Sequence, residues 1–231
     1  MDKNSEKIIE RKEKPYISIQ SLQRMPYYLH YLKEAKNDGI EIIPATTIAA
    51  DLKLNEVQVR KDLAAICTTK GRPKGGFIVD ELISNMKEFL GYNNTKDAVL
   101  VGAGSLGKAL MAYSEFENYG LNIVAAFDVD QNKIGGSVHG KKILPIEELQ
   151  NLCKRLNIHI GIITVPAQNA QEVCNKLIAS GILAIWNFAP THLSTPEDIL
   201  VKNENMAASL AVLSQHLQEK INNSREDRKD I

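Results

Sequence analysis

The sequence predicts an α/β fold in two parts, a mainly helical N-terminal domain and a doubly wound parallel sheet that follows it. Three observations predict this arrangement. Apolar residues recur at helical spacing from Ile17 to Leu90. Beyond that point, short apolar runs rich in β-branched residues alternate with helical stretches. A glycine-rich turn, VGAGSLG, connects the first of those runs to a helix.

The composition is typical of a globular protein rather than of a coating or membrane protein. The chain has 231 residues, is 44% hydrophobic and has a formal net charge of zero. Its three cysteines, Cys67, Cys153 and Cys174, lack the spacing of a zinc site, so no metal is predicted. The N-terminus lacks the apolar segment of a signal peptide, and no apolar run reaches the roughly 20 residues that cross a bilayer. These features predict a cytoplasmic protein with no membrane partner.

The N-terminal helices have the spacing of a helix-turn-helix. Residues 1–16 are dense in charge and are predicted to form a flexible arm. A long helix follows from Ile17, and then a short helix that Thr46 or Thr47 can cap. Asn55 is a favourable N-cap for a third helix, with Gln58 at its N3 position. Two short helices across a tight turn, after a longer one, predict this motif.

A wing is predicted after the third helix. The stretch CTTKGRPKGGFIVDEL contains three glycines and a proline before the strand-like residues Ile78 and Val79, a pattern that suits a β-hairpin. A further helix from Asp80 to Leu90 would close the domain. The predicted winged helix-turn-helix domain therefore spans residues 17–91.

Basic and polar side chains gather where this domain would meet double-stranded DNA. Between Lys53 and Phe77 there are six basic residues and two acidic ones, a net charge of +4. Glutamine can pair with adenine, arginine with guanine or phosphate, and lysine with phosphate. Any one of these residues could equally be a solvated surface residue, but the cluster predicts a DNA-binding face. Its members are Gln58, Arg60 and Lys61 on the third helix and Lys70, Arg72 and Lys74 in the wing.

Four apolar runs predict the strands of a Rossmann domain at residues 96–203. Each run is apolar almost throughout, as expected of strands buried on both faces. The runs are AVLVGAG, NIVAAFDVD, IHIGIITVP and LAIWNFAP. A final helix is predicted at residues 204–223, followed by a charged tail at residues 224–231. The apolar stripe of that helix consists of Met206, Leu210, Leu213 and Leu217.

The glycine-rich turn predicts a dinucleotide site. Gly102 permits the tight turn, Gly104 lets the backbone approach a pyrophosphate, and Gly107 lets the helix pack on the strand. Asp128 ends the next strand and can accept hydrogen bonds from ribose hydroxyls, which favours NAD(H) over NADP(H). Asp130 is an alternative acid or a turn residue. The turn contributes Gly102, Ala103, Gly104, Ser105, Leu106 and Gly107 to the predicted site.

Two later stretches fall at the carboxyl ends of strands, where ligands bind in open α/β sheets. The first is Thr164, Val165 and Pro166, and the second is Asn187 and Phe188. Each stretch either lines the nicotinamide half of the site or forms a turn stabilised by proline.

Enzymatic use of the dinucleotide is the alternative function. A dehydrogenase needs a proton donor or acceptor beside the nicotinamide and a lobe that binds substrate. His192 is the best candidate acid, but it is a lone histidine in a predicted loop. Nearly all residues of the second half belong to the predicted dinucleotide-binding sheet, which leaves none for a substrate-binding lobe. The sequence therefore predicts no catalytic residue and a protein that senses its ligand without turning it over.

From Ile17 onward the chain resembles the Rex family of redox-sensing transcriptional repressors. The matching stretches are RMPYYLHYL, VQVRKDL, VGAGSLGKAL, AAFDVD, ITVPAQNAQEV and GILAIWNFAP. The resemblance implies a homodimer of winged-helix and Rossmann subunits that exchange their C-terminal helices, so that this helix is domain-swapped. It also implies that NADH binding closes the Rossmann domains and releases palindromic operator DNA, whereas NAD+ competes and permits DNA binding.

The resemblance also implies an interdomain switch, and here the chain departs from the family. An arginine of the first helix, a tyrosine after the glycine turn and an aspartate at the start of the final helix commonly form it. The corresponding positions hold His30, Tyr113 and Asn205. The loss of both charges predicts either a weakened or retuned redox response, including one that depends on pH through His30, or a neutral hydrogen-bonded substitute. Cys67, in an unusual ending of the third helix, is either an oxidant sensor or a packed thiol.

Overall fold

The chain forms two compact units, residues 1–93 and 94–231. The computed structural model describes residues 17–67, 76–93 and 96–226. Each unit has its own apolar core. The predicted arm and most of the predicted wing, residues 68–75, lie outside the described residues, as do residues 227–231 of the predicted tail.

The first unit is mainly helical. Its elements are α1 (Ile19–Asn37), β1 (Ile42–Ile43), α2 (Ala45–Asp51), α3 (Glu56–Ile66), β2 (Phe77–Ile78) and α4 (Val79–Leu90). α1 packs against α4, and α2 packs against α3. The apolar faces of the helices form one core, whose fully buried large side chains include Met25, Tyr28, Leu32, Ile48, Leu63 and Met86. The long helix followed by two short ones confirms the predicted helix-turn-helix. The predicted cap of α2 is wrong, because the helix begins at Ala45, before Thr46 and Thr47, and has Pro44 at its N-cap position.

Asn55 fixes the start of the helix that holds the predicted DNA-binding side chains. Its side-chain oxygen accepts hydrogen bonds from the backbone amides of Val57 at 3.0 Å and Gln58 at 3.2 Å. α3 therefore begins at Glu56, which confirms the predicted N-cap. Because these amides have no partner within the helix, the cap satisfies them and sets the helical register.

The strand before α4 differs from its predicted form. The sequence predicts a strand at Ile78 and Val79, but β2 consists of Phe77 and Ile78, and Val79 begins α4. β2 pairs antiparallel with β1, with Ile42 opposite Ile78. Val79 is only 1% exposed. Burial of its side chain in the helical core outweighs the weak preference of a β-branched residue for a strand.

The second unit is built on a seven-stranded sheet. The strands are β3 (Lys96–Val101), β4 (Leu121–Asp128), β5 (Ser137–Val138), β6 (Lys141–Pro145), β7 (Ile160–Ile163), β8 (Ala184–Asn187) and β9 (Leu200–Asn203). The helices are α5 (Ser105–Ala112), α6 (Glu115–Asn118), α7 (Leu149–Leu156), α8 (Ala167–Ala179) and α9 (Met206–Glu226). The strand order is β5-β6-β4-β3-β7-β8-β9, and every neighbouring pair is parallel except β5 and β6. This topology confirms the predicted doubly wound Rossmann fold.

Apolar side chains cover both faces of the sheet. On one face, Val99 and Phe127 pack in a core with side chains of α7 and α8. On the other, Leu100 and Ile162 pack in a core with Met111 of α5. Successive residues of β3 thus enter opposite cores, which explains why the strand sequences are apolar without alternation.

Three strands of the second unit, β5, β6 and β9, are absent from the sequence prediction. They lie at or next to the sheet edges, and edge strands lack the continuous apolar signature of buried ones.

α9 continues to Glu226, beyond its predicted end at residue 223 and into the predicted tail. The four predicted stripe residues of α9 are between 56% and 65% exposed. None of the helices in the described part of the chain is both long enough and apolar enough to span a bilayer.

Candidate functional site

A cavity of about 620 Å3 opens in the second unit where β3, β4 and β7 end. Its volume is within the usual range for small-molecule sites. The predicted site residues that line it are Gly102, Gly104, Ser105, Leu106, Asp128, Thr164, Val165, Pro166 and Phe188. Segments that are far apart in sequence therefore meet at the carboxyl edge of the sheet, as the topology predicts.

The three glycines of the turn have different structural roles. A Cβ at Gly107 would lie 2.1 Å from the carbonyl oxygen of Gly102, so only glycine allows α5 to pack this closely. Gly102 has φ +106°, and a Cβ there would lie 2.8 Å from the backbone of Thr164. At Gly104, by contrast, a Cβ would meet nothing within 4 Å. Gly104 therefore leaves open space at the cavity for a ligand to approach the backbone.

Thr164 holds the turn against the end of β7. Its hydroxyl donates a hydrogen bond to the carbonyl oxygen of Gly102 at 2.8 Å and lies 3.2 Å from that of Val101. The first amides of α5 have no side-chain cap from Gly104. A helix start of this kind, facing a cavity, favours the binding of an anionic group such as a phosphate.

Asp128 connects the turn to the opposite side of the cavity. One carboxylate oxygen, Oδ2, accepts hydrogen bonds from the amide of Ala103 at 2.8 Å and from Nζ of Lys133 at 3.0 Å. The other, Oδ1, accepts from the amide of Asp130 at 3.0 Å. Burial acts to raise the pKa of Asp128, but these hydrogen bonds outweigh it, so its pKa lies below the ordinary value. Asp128 is therefore an ionised acceptor that also braces the glycine turn.

Lys133 is a site residue that the sequence analysis missed. Its ammonium contacts both Asp128 and, at 3.5 Å, Asp130. The hydrogen bond to Asp128 raises the pKa of Lys133. The only sequence signal is a lysine three residues after the second acid in DVDQNK. Other cavity residues without a predicted role are Val101, Val129, Ile146, Asn169, Glu172, Val173 and Lys176.

Three predicted site residues do not line the cavity. Ala103 and Gly107 are buried beneath the turn. Asn187 is fully buried, and its side-chain amide donates to Asn203 at 2.8 Å and to the carbonyl oxygen of Thr191 at 2.9 Å. These contacts make Asn187 a support for the end of β8.

His192 and the cysteines show no arrangement for catalysis or metal binding. His192 is exposed and is not among the cavity-lining residues. Burial raises the pKa of Cys153 to about 11, and it also raises those of Cys174 and Cys67. All three thiols are therefore protonated near neutral pH. Within the part of the chain that the structure describes, no group of side chains could hold a metal ion.

α3 presents its polar predicted residues to solvent. Gln58 and Lys61 are exposed, and Arg60 is 64% exposed while pairing with Glu56 one turn earlier. The predicted wing residues Lys70, Arg72 and Lys74 lie outside the described residues. The described part of the cluster therefore forms an exposed face on one helix, which suits contacts with a DNA groove.

Next to Lys61, a buried ion pair fastens α3 to α1. Asp62 is 4% exposed and accepts hydrogen bonds from Arg24 Nε at 2.8 Å and Arg24 Nη2 at 3.2 Å. The hydroxyl of Tyr28 donates to the same carboxylate at 2.9 Å. Burial acts to raise the pKa of Asp62, but the hydrogen bonds dominate and lower it. The ionised carboxylate therefore holds α3 against α1.

The three predicted switch residues occur in different settings. His30 is in the first unit, where its side chain is exposed and lies 3.4 Å from Glu34. Tyr113 follows α5 and packs edge-on against Phe116. Asn205 precedes α9, and its side chain accepts a hydrogen bond from the amide of Ala208 at 3.0 Å.

Two family models match the chain. Residues 16–64 match the model described as "Putative DNA-binding protein N-terminus", which covers the helix-turn-helix. Residues 93–191 match the model described as "CoA binding domain", which covers the glycine turn and the cavity.

Relatives named redox-sensing transcriptional repressor Rex, and structures of RSP, which is described as a Rex-family repressor, match 84% to 92% of the chain. The redox-sensing transcriptional repressor Rex of Treponema denticola is 42% identical over 84% of this chain and 91% of its own length. The Rex protein of Bacteroides fragilis is 37% identical over 90% of this chain and 94% of its own. A crystal structure of RSP with β-NAD+ and operator DNA matches with a TM-score of 0.84 at 30% identity, covering 92% of this chain and 97% of that one. RSP with β-NADH matches with a TM-score of 0.80 at 30% identity, over 92% and 99% of the two chains. At 42% and 37% identity over most of its length, and with a helix-turn-helix and a Rossmann sheet both present, this chain belongs to the Rex family of redox-sensing transcriptional repressors.

Proposed function

We propose that this repressor acts in the cytoplasm as a homodimer, binds NADH and NAD+ in the second-unit cavity, and leaves palindromic operator DNA when NADH binds. The main support for a dinucleotide ligand is that the open space at Gly104 and the ionised carboxylate of Asp128 border the same cavity. The RSP structures with β-NAD+ and operator DNA and with β-NADH support the extension to this chain.

The cavity residues suit the parts of a dinucleotide in order. The start of α5 at Ser105 would receive the diphosphate, because Gly104 is its N-cap and leaves open space there. Asp128 would accept from the adenosine ribose hydroxyls and repel a 2′-phosphate. Thr164 and Phe188 would border the nicotinamide half.

The exposed face of α3 would contact the operator. Gln58 and Arg60 are proposed to reach base edges, and Lys61 the phosphates. The wing residues Lys70, Arg72 and Lys74 are proposed as further phosphate contacts on the strength of their sequence positions alone.

α9 is proposed to form the domain-swapped contact between the two copies. Its apolar stripe is more than half exposed in the single chain, and an exposed apolar stripe of this length is typical of an interaction surface. A symmetric dimer would place two copies of α3 on a palindrome, since the symmetry of the operator then matches that of the protein.

The response to NADH would be a shift between two dimer geometries. A ligand can change the affinity for DNA only by binding the two geometries with different affinity. His30, Tyr113 and Asn205 are the proposed switch between the domains. Because His30 and Asn205 lack the charges usual at these positions, the size of the NADH response distinguishes a weakened or retuned switch from a neutral hydrogen-bonded substitute.

The experiment that tests the proposal uses a duplex selected from random DNA with the purified protein. Fluorescence anisotropy of that duplex is followed while NADH is titrated against a background of NAD+. We expect NADH to release the duplex and excess NAD+ to restore binding. Tight DNA binding that ignores NADH would show a repressor that has lost its redox response, and failure to bind either dinucleotide would refute the proposed ligand.

Changing Asp128 to asparagine should lower NADH affinity by about tenfold or more, because a charged acceptor for the ribose is lost. NADPH affinity should fall less or rise, since the repulsion of its 2′-phosphate is relieved. Isothermal titration with both dinucleotides checks this. Disruption of the turn alone would lower both affinities equally. Asp130→Asn is the matched control, and the same selectivity change in that variant would identify Asp130 as the ribose-binding acid.

Changing Lys61 to alanine should weaken binding to all duplexes similarly and reduce the slope of log affinity against log salt by about one. Lys61 is a cleaner probe than Arg60, which pairs with Glu56. Anisotropy titrations at several salt concentrations measure the slope. Lys142→Ala, which removes an exposed lysine of the second unit, is the charge-matched control. An unchanged slope for Lys61→Ala would place its ammonium away from DNA.

A further inference from the structure

The single tryptophan of the chain, Trp186, lies within an aromatic cluster beside the cavity. Its ring centroid is 4.9 Å from that of Phe188, which lines the cavity, and 5.6 Å from that of Phe116. Phe116 in turn packs edge-on against Tyr113 at 4.9 Å. A change in the position of Phe188 would therefore displace Trp186, because the two rings are in contact.

Trp186 is hydrogen-bonded to a carboxylate on the segment that follows β9. Its indole Nε1 donates to Oε1 of Glu204 at 3.0 Å, and both side chains are partly buried. A hydrogen bond to an ionised acceptor is stronger than a neutral one. Lys202 is a charged neighbour of Glu204, but its side chain is 66% exposed and its ammonium is 3.9 Å from the carboxylate.

Further hydrogen bonds fasten the same two segments together. The amide of Glu204 donates to the carbonyl oxygen of Asn187 at 2.8 Å. The side-chain amide of Asn187 donates to Asn203 at 2.8 Å. The end of β8, next to the cavity, and residues 203–204 are therefore held as one piece.

Only one residue separates this connection from α9. Asn205 caps the helix, since its side chain accepts from the amide of Ala208 at 3.0 Å and its carbonyl oxygen accepts from the amide of Ser209 at 3.2 Å. The position of the first turn of α9 is thus tied to Trp186 through Glu204.

We propose that Glu204 and Trp186 are positioning residues that transmit occupancy of the cavity to the start of α9. The inference rests on the proposed function, in which α9 joins the two copies and NADH changes the dimer geometry. When the cavity is filled, Phe188 and Trp186 adjust together, and the indole hydrogen bond moves Glu204 and the cap of α9 with them. The backbone hydrogen bond of Glu204 and the contact of Asn187 with Asn203 remain when this bond is lost, so its loss weakens the connection between cavity and helix without removing any ligand contact.

The test compares Glu204→Leu with Glu204→Gln, whose side-chain oxygen still accepts from the indole. Trp186→Phe removes the donor and keeps an aromatic ring, and Lys202→Met removes a charged neighbour of Glu204 as a control. For each full-length variant, operator affinity is measured with and without NADH, and NADH affinity is measured on the free protein. Trp186 emission in the Glu204 variants reports directly on the indole environment.

We expect Glu204→Leu and Trp186→Phe to reduce the NADH-induced loss of operator affinity by about 2- to 30-fold, the usual range for residues that transmit coupling. NADH affinity of the free protein should stay within about twofold of wild type. Glu204→Gln and Lys202→Met should keep the wild-type response. A merely structural role would instead lower NADH affinity or stability together with the response.

Normal release of operator by NADH in both Glu204→Leu and Trp186→Phe would overturn the inference and leave the proposed function standing. An equal loss in Glu204→Gln or Lys202→Met would also overturn it, because those variants keep the indole hydrogen bond. If wild-type protein binds NADH without releasing DNA, the inference is tested by amide hydrogen exchange at residues 206–210, measured with and without NADH. NADH-dependent protection in wild type that is absent from Glu204→Leu would support the inference, and its absence from wild type would refute it.

Discussion

Replacing Gly107 with alanine is expected to destabilise the second unit severely. The new Cβ would lie 2.1 Å from the carbonyl oxygen of Gly102 and 2.9 Å from Oγ1 of Thr164. Backbone must move to relieve the first contact, so the free energy of unfolding should fall by at least about 3 kcal/mol, the upper end of ordinary overpacking. Thermal unfolding followed by circular dichroism measures the loss, and NADH affinity should fall with it.

Gly104→Ala is the matched control, because it adds the same methyl group where nothing lies within 4 Å. This variant should unfold at a temperature close to that of wild type. Its NADH affinity should nevertheless fall, since the methyl group would stand in the space through which a diphosphate approaches the backbone. Equal melting temperatures for the two variants would contradict the packing role assigned to Gly107.

Replacing Asp62 with alanine should cost the first unit about 3 kcal/mol of stability, the lower end of the range for breaking a buried ion pair, because Arg24 is 19% exposed and can reach water. Tyr28 is fully buried and loses its acceptor as well. Operator affinity should also fall, since the ion pair orients α3. Denaturant unfolding measures the stability. Glu88→Ala, which removes an exposed carboxylate of α4, controls for the change in charge. A similar loss in both variants would contradict the special role of the buried pair.

The same ion pair predicts how stability depends on pH. The pKa of Asp62 is lower in the folded chain than its ordinary value of 3.8, so the unfolded chain binds the proton more tightly. Its contribution is therefore fully present above the unfolded pKa and is lost as the pH falls through the folded pKa. In acid, the stability of Asp62→Ala should decline less steeply than that of wild type. Parallel curves for the two proteins would show that Asp62 makes no net contribution.

Local motifs explain why much of the site could be predicted from sequence. The glycine turn and Asp128 each follow a buried strand, and their spacing reflects the geometry of one βαβ unit. Asn55 could be identified as a cap because its partners are only two and three residues away. Where neighbouring residues determine the conformation, the pattern is visible in the chain itself.

Contacts between distant residues explain what the sequence could not show. In the sequence, Asp62 is only a negative charge within the basic cluster. Its partner Arg24 lies 38 residues away, so the buried ion pair that holds α3 is not visible in the sequence. Asn187 supports β8 because β9 brings Asn203 beside it, and β9 had no apolar signature of its own. Val79 has the β-branched side chain typical of a strand. Its burial, which places it in α4, depends on the packing of several helices and is not visible in the sequence. Each difference arises from tertiary contacts that override local preference.

Redox sensing by this repressor requires that NADH and operator weaken each other's binding reciprocally. NADH affinity is measured on the free protein and on the protein saturated with operator duplex, and operator affinity is measured with and without saturating NADH. If one shift between two dimer geometries links the sites, operator must weaken NADH binding by the same factor by which NADH weakens operator binding. Factors of one in both directions would contradict the claim that this repressor senses the redox state through its dinucleotide cavity.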